Sequence, residues 1–210
     1  MQKMIDHIVE IEWTMFHNTK NIGGPASCQN DRSQFEIMRK AQFLAWNEDL
    51  LRSYEQDLLL AVANGQNLVT YKYAYMMETT APLELQAFRS QLPAISDEKL
   101  ALIDELSRIM IQWAEDFANR YPLLAGLGRP IHTYEDHPGS VSMETYSRGE
   151  WMTYSEATLH LLVEHYRNLS SNGRNIQEET VSVELSLSGL GTPEQIEQHL
   201  TAHTQGRTQL

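Results

Sequence analysis

Apolar residues near the N-terminus recur with the spacing of an α-helix, and a carboxylate lies among them. At about 100° per residue, the apolar side chains from Met4 to Phe16 fall in one sector, with Glu12 at its middle. An isolated buried carboxylate costs more free energy than one helix recovers by packing, so Glu12 needs a cation, hydrogen bonds or a proton. The stretch predicts a helix over about residues 2–20 with a polar group set into the core.

The rest of the chain also predicts helices, most of them amphipathic. A Gly- and Pro-containing turn at residues 21–25 ends the first helix, and Asp31 or Ser33 can cap a second. This second helix extends to about residue 63, with a bend near Asn47. Apolar spacing and Ser, Thr, Gly or Pro boundaries predict further helices over about residues 67–79, 83–92, 97–119, 142–152, 155–173 and 193–203.

Two stretches depart from the helical pattern. Glycine and proline punctuate residues 123–139, which predicts a long ordered loop. Apolar and polar residues alternate from Val181 to Leu187, the pattern of an extended segment or the arm of a hairpin. The elements together predict an all-α fold, a single-domain multi-helix bundle over residues 1–210 with at most a small extended segment near the C-terminus.

Composition and charge narrow the classes of partner. The 210 residues are 41% hydrophobic and 21% charged, enough to bury a full core. The net charge of -12 repels phosphate backbones and anionic lipid headgroups, so we expect neither nucleic acid nor a membrane as partner. A single cysteine excludes an internal disulfide framework, and Asp6, Glu10 and Glu12 interrupt any early signal peptide or membrane span. We therefore expect a cytoplasmic protein.

Two candidate chemistries follow from single residues. Arg39 lies within an aromatic face of the second helix, and it suits a bidentate, charge-assisted pair with Glu12. Such a pair either fixes helix register or serves a ligand site, and the sequence leaves both open. Cys28 is a lone thiol that would need a base such as His132 or His137 to act as a nucleophile. Its neighbours lack the aromatic and glycine context of cysteine hydrolases, which favours a packed loop residue.

Metal and nucleotide sites find little support in the sequence. His7, Glu10 and His17 lie on the polar side of the first helix. His160 and Glu164 have ligand-like spacing but face away from the apolar residues of their helix. We therefore interpret them as solvated pairs and expect no metal site. Neither a phosphate-binding glycine loop nor a dinucleotide fingerprint occurs, and no pattern identifies a cofactor.

Four runs of sequence carry a resemblance. They are EWTMF at residues 12–16, GPASCQ at 24–29, NLVTYKYAYMMET at 67–79 and ETYSRGE at 144–150. These runs resemble a bacterial family known as domain of unknown function 4125, over about residues 1–175, which leaves about residues 176–210 as a C-terminal appendage. The family has no assigned activity, so the resemblance implies candidate positions and no mechanism. Some relatives are joined to nucleotidyltransferase-like domains, which would imply such a protein as partner, or a biosynthetic pathway role.

The sequence thus predicts a small-molecule-binding helical protein with a polar core site, and leaves open whether it is an enzyme. The candidate ligand-binding residues carry polar groups in the core, in the four runs or in the long loop: Glu12, Cys28, Gln29, Arg39, Lys72, Glu78, Arg129, Glu144, Tyr146, Arg148 and Glu150. The acids and Arg148 of residues 144–150 suit either a ligand-orienting edge or a solvated charged turn.

Two functional classes make different structural predictions. A ligand site predicts a concave pocket in which a set of charged residues converges: Glu12, Arg39, Lys72, Glu78 and Arg148. The alternative is a non-catalytic helical interaction module that docks on a catalytic partner. Such a module predicts that those charges are paired off and that a flat apolar patch is exposed elsewhere.

Overall fold

The computed structural model describes residues 1–19, 27–137 and 139–207, without the side chains of residues 27, 28 and 205–207. Within these ranges the chain forms eleven α-helices and three short 3-10 turns, with no β-strand. The helices are α1 (Gln2–His17), α2 (Arg32–Leu44), α3 (Glu48–Ala63), α4 (Leu68–Thr80), α5 (Pro82–Gln86), α6 (Asp97–Arg120), α7 (Pro122–Ala125), α8 (Met143–Trp151), α9 (Glu156–Ser171), α10 (Ile176–Leu187) and α11 (Pro193–Arg207). The predicted all-α fold is confirmed.

Short polar side chains decide where several helices begin, because they accept hydrogen bonds from the otherwise unpaired first backbone amides. Asn47 accepts from the amide of Leu50 at 2.9 Å and starts α3. The predicted long second helix is therefore two helices, separated at the position where a bend was expected. Asp31, rather than Ser33, caps α2 by accepting from the amide of Gln34 at 3.0 Å.

The predicted extended segment from Val181 to Leu187 is wrong, because these residues belong to α10. Asn175 accepts from the amides of both Gln177 and Glu178 and so starts a helix just upstream. Glu178 and Glu179 in the first turn interact favourably with the positive end of the helix dipole and so stabilise the start of α10. The helix then continues through the alternating residues, and it packs against α2 and α6.

The core lies between the apolar faces of five helices. α3 packs against α1 and α9, α9 packs against α6, and α2 packs against α1. Fully buried apolar side chains from these helices include Ile5, Ile8, Phe43, Leu50, Leu51, Leu58, Ile103, Leu106, Leu159 and Leu162. α4 and α8 pack against each other beside this core, where α4 also meets α1 and α8 meets α6. None of the described helices combines the length and the apolar character needed to cross a bilayer.

α8 crosses α4 closely at Gly149. A Cβ atom at this position would lie 2.7 Å from Cγ of Met76 and 3.0 Å from the carbonyl oxygen of Lys72. We expect Gly149→Ala to lower the free energy of unfolding by about 1–3 kcal/mol in urea denaturation, because α8 must move off α4. Gly128→Ala is the control, since its Cβ would meet only the carbonyl oxygen of Ala125 at 3.4 Å. Equal midpoints for the two variants would contradict this prediction.

Candidate functional site

Four charged side chains meet in the interior where α1, α2, α4 and α8 come together. Glu12, Arg39, Lys72 and Glu150 are each between 3% and 8% exposed. We call these four residues the charged network. Two carboxylates face two cations, so the formal charges of the network cancel, as buried charges require.

Arg39 is the centre of the charged network. Its Nε and Nη2 donate to the two carboxylate oxygens of Glu12 at 2.7 and 2.5 Å. Nη1 and Nη2 also donate to Glu150 at 3.3 and 3.2 Å, and Nη1 donates to Oε1 of Gln42 at 2.7 Å. These five contacts match the five N–H groups of a guanidinium. The predicted pairing of Glu12 with Arg39 is confirmed, and Arg39 has no N–H group left for a ligand.

Glu150 joins the remaining members of the charged network. It accepts hydrogen bonds from Nζ of Lys72, from Nε2 of Gln42 at 3.0 Å and from the hydroxyl of Tyr154 at 2.7 Å. Burial disfavours ionisation of Glu150, but the charges of Arg39 and Lys72 outweigh burial and hold its pKa well below the usual range. Burial likewise disfavours the charged form of Lys72, yet Glu150 raises the pKa of Lys72. Lys72 and Glu150 therefore both stay ionised at neutral pH.

Two buried tyrosines complete the hydrogen bonding of the carboxylates. Tyr54 donates to Oε1 of Glu12 at 2.6 Å, and the rings of Tyr54 and Tyr154 lie 4.7 Å apart. Burial and the neighbouring carboxylates raise the pKa of both tyrosines well above the usual value. Both hydroxyls therefore remain protonated donors at neutral pH. No buried side-chain polar atom of the described residues lacks a hydrogen-bond partner.

The charged network lines one side of a concave cavity of about 540 Å³. This volume lies within the range of about 300–1,000 Å³ that small-molecule sites occupy. Apolar and aromatic side chains form the walls: Phe16, Phe35, Met38, Leu68, Val69, Tyr73 and Tyr146. The rings of Phe16 and Phe35 are stacked, with centroids 5.2 Å apart and an interplanar angle of 13°. The exposed residues Asp31, Gln34 and Arg129 lie at the mouth.

Two cations lie over the ring of Tyr146 in the cavity wall. Nζ of Lys72 lies 3.4 Å from the ring centroid, and Cζ of Arg129 lies 4.7 Å from it. Both distances are within the range of cation–π contacts. Nη1 of Arg129 also donates to the carbonyl oxygen of Val141 at 3.0 Å. These contacts fix the position of Arg129 at the mouth.

Comparison with known proteins gives one match. The model of a family described as protein of unknown function (DUF4125) matches residues 2–198. The chain belongs to this family. No curated protein and no solved structure matches it. The DUF4125 match continues past residue 175, where the resemblance recognised in the sequence ended, and so includes α10.

The structure of this DUF4125 protein brings part of the predicted candidate set together. Six of the predicted residues line the cavity: Glu12, Arg39, Lys72, Arg129, Tyr146 and Glu150. Their role in binding a ligand stays a prediction.

The expectation that Glu78 and Arg148 converge with the charged network is wrong. Glu78 accepts from Arg89 at 2.5 Å on the surface, and Arg148 donates to Asp104 at 2.7 Å on α6. The reason is helical geometry: Glu78 is six residues beyond Lys72, and Arg148 is two residues before Glu150. At about 100° per residue, each side chain is turned well away from the face that lines the cavity.

Three further candidates lie away from the cavity or outside the described part of the chain. Glu144 accepts from the amide of Thr133 at 2.8 Å and anchors a 3-10 turn. Nε2 of Gln29 donates to the carbonyl oxygens of Phe16 and Thr19, both at 2.8 Å, and secures the end of α1. The side chain of Cys28 lies outside the described residues, so the predictions about this thiol stay untested.

Tyr54 and Tyr154 complete the site and were absent from the predicted candidates. Tyr54 lies between Leu50 and Leu58 at helical spacing, on the buried face of α3. A tyrosine in such a face needs a partner for its hydroxyl, so this spacing was a usable signal.

Metal binding by the charged network would require loss of existing contacts. Among the described residues, no three His, Cys, Asp or Glu side chains come together as a metal-binding group. The oxygens of Glu12 and Glu150 already accept from Arg39 and from hydroxyl groups. The geometry is suited instead to an organic ligand that contacts Lys72, Tyr146 and the apolar walls.

Proposed function

We propose that this protein binds a small organic molecule in the cavity between α1, α2, α4 and α8. The supporting observation is the position of the charged network, all four of whose members line a concave cavity with apolar walls. Apolar replacement of buried ion pairs is often neutral or stabilising. Stability alone therefore does not explain why four buried charges lie beside open space. Orientation of a ligand in that space would explain their position.

The pKa values of Lys72 and Glu150 favour binding and orientation of a ligand over proton transfer by these two groups. A general acid or base works best with a pKa near the working pH. The pKa of Glu150 is held far below neutral by Arg39 and Lys72 despite burial, and that of Lys72 is raised by Glu150 despite burial. We propose fixed charges that position a ligand in a cytoplasmic small-molecule pathway, where an attached or separate nucleotidyltransferase-like protein is the candidate partner.

Narrowing the cavity mouth tests this proposal. Met38 lines the cavity and is 47% exposed, so Met38→Trp should fill the mouth without disturbing the core. Leu60→Trp is the matched control, because Leu60 is 64% exposed on α3 and does not line the cavity. We expect a fragment library screened by saturation-transfer NMR to give binders that the wild type and Leu60→Trp share and that Met38→Trp loses. Equal binding by the two variants, or no binder of the wild type, would refute the proposal.

A second candidate function is an interaction module that docks on a catalytic partner. Leu59, Leu60 and Val62 are exposed near the end of α3, by 38%, 64% and 54%. The charged network is also internally paired, as a module predicts. The two candidates differ in where a partner molecule protects the protein from hydrogen exchange. A docking module predicts protection at this end of α3, whereas a ligand-binding protein predicts protection around the cavity.

A further inference from the structure

The interior of the cavity offers no uncompensated charge. The four charges of the network cancel, and every buried polar side-chain atom of the described residues has a partner. A charged ligand group that entered this region would have to displace one of those partners. The network can therefore give polar contacts to an uncharged part of a ligand, whereas an ion pair with a charged ligand group requires the mouth, where exposed charges lie.

Arg129 provides an uncompensated positive charge at the mouth. In the part of the chain that the structure describes, Arg108 and Arg129 are the arginines that form no ion pair. Arg108 does not line the cavity, whereas Arg129 does. The contacts of Arg129 with Val141 and Tyr146 hold the guanidinium in place and leave N–H groups for another acceptor. An unpaired arginine is notable in a chain with a net charge of -12.

The other exposed charge at the mouth is already partly compensated. Asp31 caps α2, and its Oδ1 accepts from the amide of Gln34 at 3.0 Å. The positive end of the α2 dipole therefore lies beside this carboxylate. Arg129 lies in the loop after α7, and among the described residues no carboxylate forms an ion pair with it. The mouth is thus better suited to an anion than to a cation.

The walls indicate the shape of the rest of the ligand. Phe16, Phe35 and Met38 give one wall of the cavity an aromatic and apolar surface, and the rings of Phe16 and Phe35 are stacked on each other. Aromatic rings pack on such surfaces in offset or edge-to-face arrangements. The geometry points to an aromatic anion as the ligand, with its carboxylate or phosphate paired to Arg129 and its ring against Phe16 and Phe35. This inference rests on the proposed function of the cavity.

Matched probe pairs that differ only in charge test the inference by isothermal titration calorimetry. Indole-3-acetate is compared with indole-3-acetamide, and AMP is compared with adenosine. We expect the anion of at least one pair to bind about tenfold more tightly than its neutral partner, the effect of one charge-assisted contact. The pair that shows the preference identifies the anionic group as carboxylate or phosphate.

Arginine variants show whether Arg129 is responsible. Arg129→Gln should abolish the preference for the anion, whereas Arg108→Gln should retain it because Arg108 does not line the cavity. Arg108 is a matched control because both side chains are exposed and neither forms an ion pair. Thermal melting checks that both variants stay folded. Equal binding of anion and neutral partner, or a preference that survives in Arg129→Gln, would overturn the inference and leave the proposed binding function standing. Failure of every probe to bind up to millimolar concentration would count against both.

Discussion

Glu12→Gln should lower the free energy of unfolding by about 3–5 kcal/mol, the usual cost of breaking a buried ion pair from one side. Glu12 is 3% exposed and accepts hydrogen bonds from Arg39 and from Tyr54. An amide keeps the shape but loses the charge, and its NH2 group would face the N–H groups of Arg39. Glu150 would then be the only charged partner of the buried guanidinium, and Lys72 already shares it.

Urea denaturation with a matched control on the same helix checks this result. Glu10 forms an ion pair with Arg32 at the surface, and exposed pairs contribute little. Glu10→Gln should therefore leave the denaturation midpoint almost unchanged. If Glu12 instead served only a ligand, neutralising it would cost little or even stabilise the empty protein. A Glu12→Gln midpoint equal to that of Glu10→Gln would refute the structural role, and loss of ligand binding by the same variant would then be needed to support the second.

The Glu12–Arg39 pair was predictable from the sequence because each residue lies on the apolar face of its own helix. Burial follows from helical spacing alone at such positions, and two opposite buried charges then imply a pair. Lys72 and Glu150 gave no such signal. Apolar side chains lie on nearly all sides of α4, so helical spacing does not indicate that Lys72 is buried. α8 is short and polar, so it has no apolar face that would indicate the burial of Glu150. Those two residues entered the candidate set through the family resemblance.

The directions of several side chains depend on tertiary packing and could not be predicted from helical spacing. The resemblance placed Arg148 and Glu150 in one run, but the close approach of α8 to α4 at Gly149 turns Glu150 inward and leaves Arg148 beside α6. The concave space itself depends on how α1, α2, α4 and α8 meet, which no local pattern encodes. The alternation from Val181 to Leu187 failed for a related reason, because a well-capped helix start upstream outweighed it.

Glu150→Gln should destabilise the protein about as strongly as Glu12→Gln, by about 3–5 kcal/mol. The substitution leaves Glu12 alone against the two buried cations, Arg39 and Lys72. Lys72→Met removes one of the two cations and so restores the charge balance in the double variant. We therefore expect the double variant Glu150→Gln/Lys72→Met to lose less free energy of unfolding than the sum of the losses in the two single variants. A double-mutant cycle in urea measures this coupling. Simple additivity of the two substitutions would contradict a charge-balanced network.

The difference in unfolding free energy between wild type and Glu150→Gln should also depend on pH in one direction. Burial opposes ionisation of Glu150, but Arg39 and Lys72 lower its folded pKa far below the unfolded value of about 4.3. A carboxylate with a depressed folded pKa stabilises the protein above its unfolded pKa and loses that contribution as the pH falls towards the folded value. The difference should stay constant from about pH 7 to about pH 5 and shrink below about pH 4. A difference that grows on acidification would mean that Glu150 is protonated in the folded protein. Glu150 would then carry no charge to pair with Arg39 and Lys72, which would contradict the charged network.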